Sequence, residues 1–163
     1  MNFRHISIRQ TLQPGDIGRV IQLHGRIYAA EYGYGIGFES YVAAGLHEFW
    51  QQYDPSKDRI WLCENDGELA GCLFLMHRSD ETAQLRFFLL DKAQRGMGLG
   101  SLLIQQFMEN LQEIGYQEAY LWTTSELKEA ASLYLKAGFR RGETHKSHIF
   151  GKTVTEQYYG WRK

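Results

Sequence analysis

Arg95-Gly96-Met97-Gly98-Leu99-Gly100-Ser101 is the stretch from which the fold of this chain can be read. Before it stands Leu85-Arg86-Phe87-Phe88-Leu89-Leu90, a mostly apolar run of strand length. After it, Gly98 to Gly115 carries Leu99, Leu102, Leu103, Phe107, Leu111 and Ile114 on one stripe, the pattern of an amphipathic helix. A helix N-terminus leaves N–H groups unpaired and carries a partial positive charge, which suits an anion. Glycines there let phosphate oxygens approach the backbone without a Cβ in the way. Arg95 adds a full positive charge. Turn glycines alone would account for a lone GxG. Three alternating glycines behind an arginine, joining a buried strand to a helix, favour a phosphate site. A P-loop needs GxxxxGK[ST], and no Lys-Ser or Lys-Thr pair follows these glycines. A dinucleotide fingerprint needs GxGxxG directly after the strand; here Asp91-Lys92-Ala93-Gln94 intervene and the spacing is GxGxG.

Working outward, Phe3-His5-Ile6-Ile8 reads as a first strand. Pro14-Gly15-Asp16 opens a helix with Ile17, Val20, Ile21, Leu23, His24 and Ile27 on one face. Tyr32 to Gly37 breaks it, and a second helix carries Phe38, Tyr41, Val42, Leu46, Phe49 and Trp50, ending before Asp54-Pro55. Arg59 to Glu64 and Leu69 to His77 read as a hairpin turning at Asn65-Asp66-Gly67-Glu68. Ala119-Tyr120-Leu121-Trp122 is a further strand. Ser125 reads as the N-cap of a short helix that runs through Glu129 to Ala137 and ends at Gly138. Phe139 to Arg141 and Ile149 to Tyr159 are closing strands. This order predicts a mixed α/β fold, one sheet flanked by helices, in a single domain over residues 1–163. The Leu85–Leu90 and Ala119–Trp122 strands, joined through a helix, should run parallel by a right-handed crossover.

Composition narrows the function classes. The chain has 163 residues, 44% apolar and 23% charged, with 18 basic and 19 acidic side chains and a net charge of −1. Such a chain has no overall field for nucleic acid. Cys63 and Cys72 form no CxxC pair and read as reduced, buried thiols. Met1 to Gln10 lacks an apolar signal segment, and apolar runs such as Cys72 to Met76 are of strand length, not the roughly 20 residues of a membrane span. A soluble, cytoplasmic protein without membrane or nucleic-acid partner is expected. His145 and His148 have HxxH spacing but no further ligands beside them, so they read as surface histidines and no metal site is predicted.

The motifs carry a family resemblance. Arg95-Gly96-Met97-Gly98-Leu99-Gly100 matches the R-x-x-G-x-G/A signature of the GNAT superfamily of acetyl-CoA-dependent N-acetyltransferases. Leu90-Asp91-Lys92-Ala93-Gln94 resembles the family's approach to it, with Lys92 where Pro is common. Leu133-Tyr134-Leu135-Lys136-Ala137-Gly138-Phe139 resembles the LY-x-x-x-GF element, at a fitting separation. The resemblance covers residues 59–141. More loosely, His24-Gly25, Tyr28, Glu31-Tyr32-Gly33, Leu121-Trp122-Thr123 and Phe150-Gly151 resemble the acetyltransferase half of fusions with a MarR-type DNA-binding domain, whose DNA-binding half has no counterpart in this sequence.

The resemblance implies a central mixed, mostly antiparallel sheet in which the parallel strands splay. It implies acetyl-CoA as co-substrate. Backbone groups of Phe88, Leu89 and Leu90 would bond the pantetheine arm. Arg95, Gly96, Met97, Gly98, Leu99, Gly100 and Ser101 would hold the pyrophosphate. Tyr134 would protonate the departing thiolate. The base is left open between Glu31, at the end of the first helix, His24, which also fits the core, and a water chain. Thr123 and Thr124 can orient water beside the reacting centre. Tyr28, Tyr32, Tyr34, Trp122 and Thr123 are candidates to shape the acceptor site. The implied activity is acetyl transfer to a primary amine of a small molecule or peptide in a ternary complex. A non-catalytic acyl-CoA sensor on the same fold is the alternative, and a nucleotide-binding module a remote third. The acceptor and the oligomeric state stay open, homodimers being frequent in the family.

Overall fold

The computed structural model describes residues 5–163, so Phe3 of the expected first strand lies outside them. Strand β1 (Ile6–Arg9) leads into helices α1 (Asp16–Tyr32) and α2 (Ile36–Gln52). Strands β2 (Arg59–Asn65), β3 (Glu68–His77) and β4 (Thr82–Leu90) follow, then a single 3-10 turn at Lys92–Gln94 and α3 (Leu99–Ile114). The chain closes with β5 (Glu118–Thr124), α4 (Lys128–Lys136), β6 (Arg140–Ser147) and β7 (Val154–Arg162). The seven strands form one sheet in the order β1-β2-β3-β4-β5-β7-β6. Every neighbouring pair is antiparallel except β4 and β5.

The period-2 alternation of the middle strands builds two cores. Ile60, Leu62, Cys72, Phe74 and Met76 face α1 and α2, where they meet Val20, Ile27, Leu46 and Phe49. Trp61, Cys63, Leu73 and Leu75 face α3, where they meet Leu103, Phe107 and Leu111. Burial on both faces explains why β2 and β3 read as continuous apolar runs. Their hairpin turns on Asp66 and Gly67, both at positive φ (51° and 85°), as a two-residue primed turn requires. No helix among the described residues is long and apolar enough to cross a membrane.

Three expectations are corrected. Ser125 does not cap α4: the helix starts at Lys128, with Leu127 at the cap position and no side-chain cap. The Ser125 N–H is held instead by the Thr155 carbonyl at 2.9 Å, so the sheet keeps this residue. Strand β6 runs to Ser147, well past Arg141; seven of its eight residues are exposed, so the apolar alternation that marks a half-buried strand is missing. Strand β7 begins at Val154, because Ile149 to Gly151 pack as a loop against the α1–α2 junction. There the Gly35 N–H bonds the Phe150 carbonyl at 2.9 Å, and a Cβ at Gly37 would stand 2.5 Å from the Ile149 carbonyl oxygen.

Two irregularities of β4 position the site. Pairing with β5 is confined to Thr82↔Glu118, Ala83↔Ala119 and Gln84↔Tyr120, after which the strands part. On its other side, Cys72 pairs with Leu89 and Phe74 with Arg86, so β4 holds one residue more than β3 there. This bulge sits at Phe87, whose φ is +54°, a rare value for a residue with a side chain.

At the other edge, a charge network ties β1 and β2 to α1. Asp16, with a side chain only 4% exposed, accepts from Arg9 at 2.6 Å and 2.9 Å and from Arg19 at 3.3 Å; Glu64 accepts from Arg9 at 3.1 Å and from Arg19 at 2.8 Å. Hydrogen bonds from Arg9 hold the Asp16 carboxyl below the usual carboxylate range, against the opposing effect of burial. A depressed folded-state value stabilises above the unfolded value near 3.9 and is lost as pH falls through the folded value. Asp16→Asn should therefore destabilise by about 2 kcal/mol at pH 7. The gap in melting temperature between the two proteins should close as the pH is lowered below about 4.

Candidate active site

Where β4 and β5 part, two hollows meet. A groove of about 650 Å³ runs between the end of β4, the glycine loop and α4; its walls include Leu90, Gly96, Gly98, Ser101, Lys128 and Lys136. A chamber of about 120 Å³ lies on the α1–α2 side, walled by Tyr28, Tyr34, Trp122, Thr123 and Tyr134 among others. Phe88 and Leu127 border both.

The glycine loop has the open backbone geometry that an anion cradle needs. Gly96 and Gly98 take φ of +75° and +89°, values that L side chains rarely adopt. A Cβ at Gly96 would meet nothing within 4 Å, so the loop stands open. The first bond within α3 runs from the Leu102 N–H to the Gly98 carbonyl at 3.0 Å. The N–H groups of Leu99, Gly100 and Ser101 therefore belong to the turn that a helix leaves unpaired. Gly100 serves packing as well: its Cβ would come within 3.1 Å of Leu133 on α4. Leu99 turns its side chain into the core at 1% exposure, and Met97 is exposed outside the groove walls, so these two offer the groove backbone only.

Arg95 behaves differently from a free cation. It donates from Nη1 and Nη2 to the two oxygens of Glu31 at 3.0 Å and 2.9 Å, and from Nε to the Leu90 carbonyl at 2.9 Å. The pair clamps the loop to the end of β4 and to α1. It also spends the Glu31 carboxylate on Arg95, away from the chamber walls. The groove's other charged walls are Lys128 and Lys136, with Glu126 and Glu129 beside them.

Tyr134 is 4% exposed, packed by Phe88, Phe139 and Tyr159 at ring-centroid distances of 6.1 Å, 6.2 Å and 5.7 Å. Burial, with a smaller contribution from Tyr159, pushes its phenol well above the ordinary value, so it stays protonated. His24 is a core residue: burial lowers it to about 4, and its Nδ1 donates to the Val20 carbonyl at 2.8 Å. Tyr34 donates to Glu126 Oε2 at 2.9 Å and, its one proton being used, accepts from Thr124 Oγ1 at 2.9 Å. Glu126 is also bound by Lys152 at 2.6 Å. Tyr32 faces the groove and not the chamber. His145 pairs with Glu156 on β7 and lies 4.9 Å from the Trp122 ring, while His148 pairs with Thr153 at 2.9 Å. Among the described residues no three His, Cys, Asp or Glu side chains converge as metal ligands.

Comparison with known proteins identifies a family and finds the same fold. The model of the Acetyltransferase (GNAT) family matches residues 25–139. The chain belongs to the GNAT acetyltransferase family. It is 35% identical over 137 residues to YjgM of Escherichia coli (strain K12), an uncharacterized N-acetyltransferase, which covers 80% of this chain and 79% of that one. The solved acetyltransferase of Streptococcus agalactiae shares the fold at a TM-score of 0.74 and 19% identity, over 99% of this chain and 100% of that one. A GNAT acetyltransferase from Elizabethkingia anophelis, solved with acetyl-CoA bound, shares it at 0.63 and 15% identity, over 98% and 99%. Membership makes the protein an N-acetyltransferase by class.

Residues that sequence reasoning missed are Phe87, Glu126, Lys128 and Lys136. The two lysines carry a signal, a basic pair on the helix that follows β5; the strained Phe87 carries none. Gly98→Glu would put a strained side chain and a carboxylate in the cradle. If the loop receives coenzyme A, the ligand should raise the melting temperature of the parent protein and leave that of Gly98→Glu unchanged.

Proposed function

We propose that the protein transfers the acetyl group of acetyl-CoA to a primary amine of a small molecule or peptide, by direct attack within a ternary complex. The observation that carries this reading is the meeting of groove and chamber at Phe88 and Leu127, beside the stretch of β4 that β5 leaves unpaired. A thioester laid along the groove and an amine in the chamber would face each other there.

Bound acetyl-CoA supplies the activated acetyl group; the chain's residues do the rest. The unpaired edge of β4 from Leu85 to Leu90 offers backbone N–H and C=O groups for an extended chain such as pantetheine, as an added strand would use them. The N–H groups at Leu99, Gly100 and Ser101, with Lys128 and Lys136, suit the phosphates. A backbone N–H near Phe88 can polarise the thioester carbonyl.

The amine must lose a proton, because a lysine-like ammonium has a pKa of about 10.4. Glu31 is committed to Arg95 and lies off the chamber walls, and buried His24 could hold the proton only as a desolvated cation, the form that burial disfavours. The Thr124–Tyr34–Glu126 chain offers a route: Thr124 takes a proton at the chamber wall, Tyr34 passes one on, and Glu126 accepts at the rim. Tyr134, held protonated by burial, stands at the other side to protonate the leaving thiolate. Glu31 and Arg95 act as a brace for the cradle.

Tyr134→Phe should lower kcat about 100-fold while the KM for acetyl-CoA changes little, read by thiol release with an amine panel. Glu126→Gln should depress the rate of thiol release most at neutral pH, and the rate should recover as the pH approaches the pKa of the acceptor amine. Acetyl-CoA binding without thiol release for any amine, with Tyr134→Phe unaltered, would mean a sensor and end the catalytic reading.

A further inference from the structure

Arg86 on β4 lines the chamber, and its side chain is only 10% exposed. A buried guanidinium is costly unless anions surround it. Arg86 is under-supplied. Its Nη1 reaches Glu48 at 3.2 Å, and among the described residues neither Nε nor Nη2 has a hydrogen-bond partner. Glu48 is itself half exposed and more closely held by Arg78 at 2.5 Å, so one carboxylate serves two guanidinium groups. The remaining support is aromatic: the guanidinium carbon lies 4.7 Å from the centre of the Phe87 ring and 5.8 Å from that of Tyr41.

The site is also shaped around this side chain. Gly45 stands inside α2, where glycine is unfavourable by about 1 kcal/mol relative to alanine. A Cβ there would sit 2.6 Å from Arg86 Nη2 and 3.0 Å from its central carbon. The helix is notched where the guanidinium lies. The other charged groups of the chamber do not satisfy it: Glu156 pairs with His145, and His24 is neutral.

Resting on the acetyl-transfer reading, we infer that the acceptor is a primary amine that also bears a carboxylate, which Arg86 holds through Nε and Nη2 while the amine faces Phe88 and Tyr134. The guanidinium fork matches a carboxylate in bidentate fashion. Arg86 and Phe88 both line this one chamber, separated only by the bulged residue Phe87, so amine and carboxylate belong to one small molecule of the amino acid class. A chamber of about 120 Å³ is of that scale.

Matched triplets test this: an amino acid, its carboxamide and its decarboxylated amine, over several side chains and including ω-amino acids. Thiol release is measured with the parent, Arg86→Leu, Arg86→Lys and Gly45→Ala. The carboxylate member should be favoured at least about 10-fold in kcat/KM. Arg86→Leu should remove the preference through KM, Arg86→Lys should restore part of it, and Gly45→Ala should raise KM for carboxylates alone. The melting-temperature response to acetyl-CoA should be the same in all four proteins. Neutral amines accepted as well as their acids, or an Arg86→Leu loss equal across each triplet, would overturn the inference. Failure of acetyl transfer itself is distinguished by direct calorimetric binding of amino acid against carboxamide: carboxylate-selective, Arg86-dependent binding without turnover keeps the Arg86 site and ends only the transfer reading, and unselective binding ends both.

Discussion

Two parallel strands that share hydrogen bonds as far as Gln84 and Tyr120 then separate, and everything else at this site follows from that separation. Backbone N–H and C=O groups do not tolerate being both buried and unpaired. The stretch of β4 beyond Gln84 has pairing with β3 on one side and an opening on the other. The extra residue at Phe87 bends the strand where the opening begins. A positive φ at a residue with a side chain costs of order 1 kcal/mol or more. It is held in place by packing against Phe74 and by the Cys72 thiol, which donates to the Phe87 carbonyl at 3.0 Å.

The opening is useful because its two ends differ chemically. On the α3 side stand helix N–H groups, glycines at positive φ and two lysines, an environment for phosphates. On the α1–α2 side stand aromatic rings, a protonated phenol, a hydroxyl relay and an under-paired guanidinium, an environment for a small polar molecule. Arg95 joins the halves mechanically: its ion pair with Glu31 fixes the loop to α1, while its bond to the Leu90 carbonyl fixes it to β4.

Much of the fold was legible because its signals are local. The Leu99–Ile114 stripe and the Asp66-Gly67 turn are each written in a few neighbouring residues, and both formed as read. What escaped lies between elements. Glu31 and Arg95 are 64 residues apart, so the helix-end carboxylate that reads as a candidate base turned out to be engaged. Tyr32 and Tyr34, neighbours in sequence, face different hollows because α1 ends between them at Gly33 (φ 71°). Ser125 has the chemistry of a helix cap, but the sheet claimed its N–H first. Arg86 stands in an apolar run, where only Gly45 on another element reveals that room was made for it.

The central claim is that the unpaired edge of β4 and the glycine loop together receive acetyl-CoA. Amide hydrogen exchange, followed with and without acetyl-CoA, measures this directly, since a backbone group exchanges slowly once it is paired. Exchange should slow in the segments 85–90 and 96–101 together when acetyl-CoA is added. Protection confined to other segments, or none at all at a saturating concentration, would contradict the account.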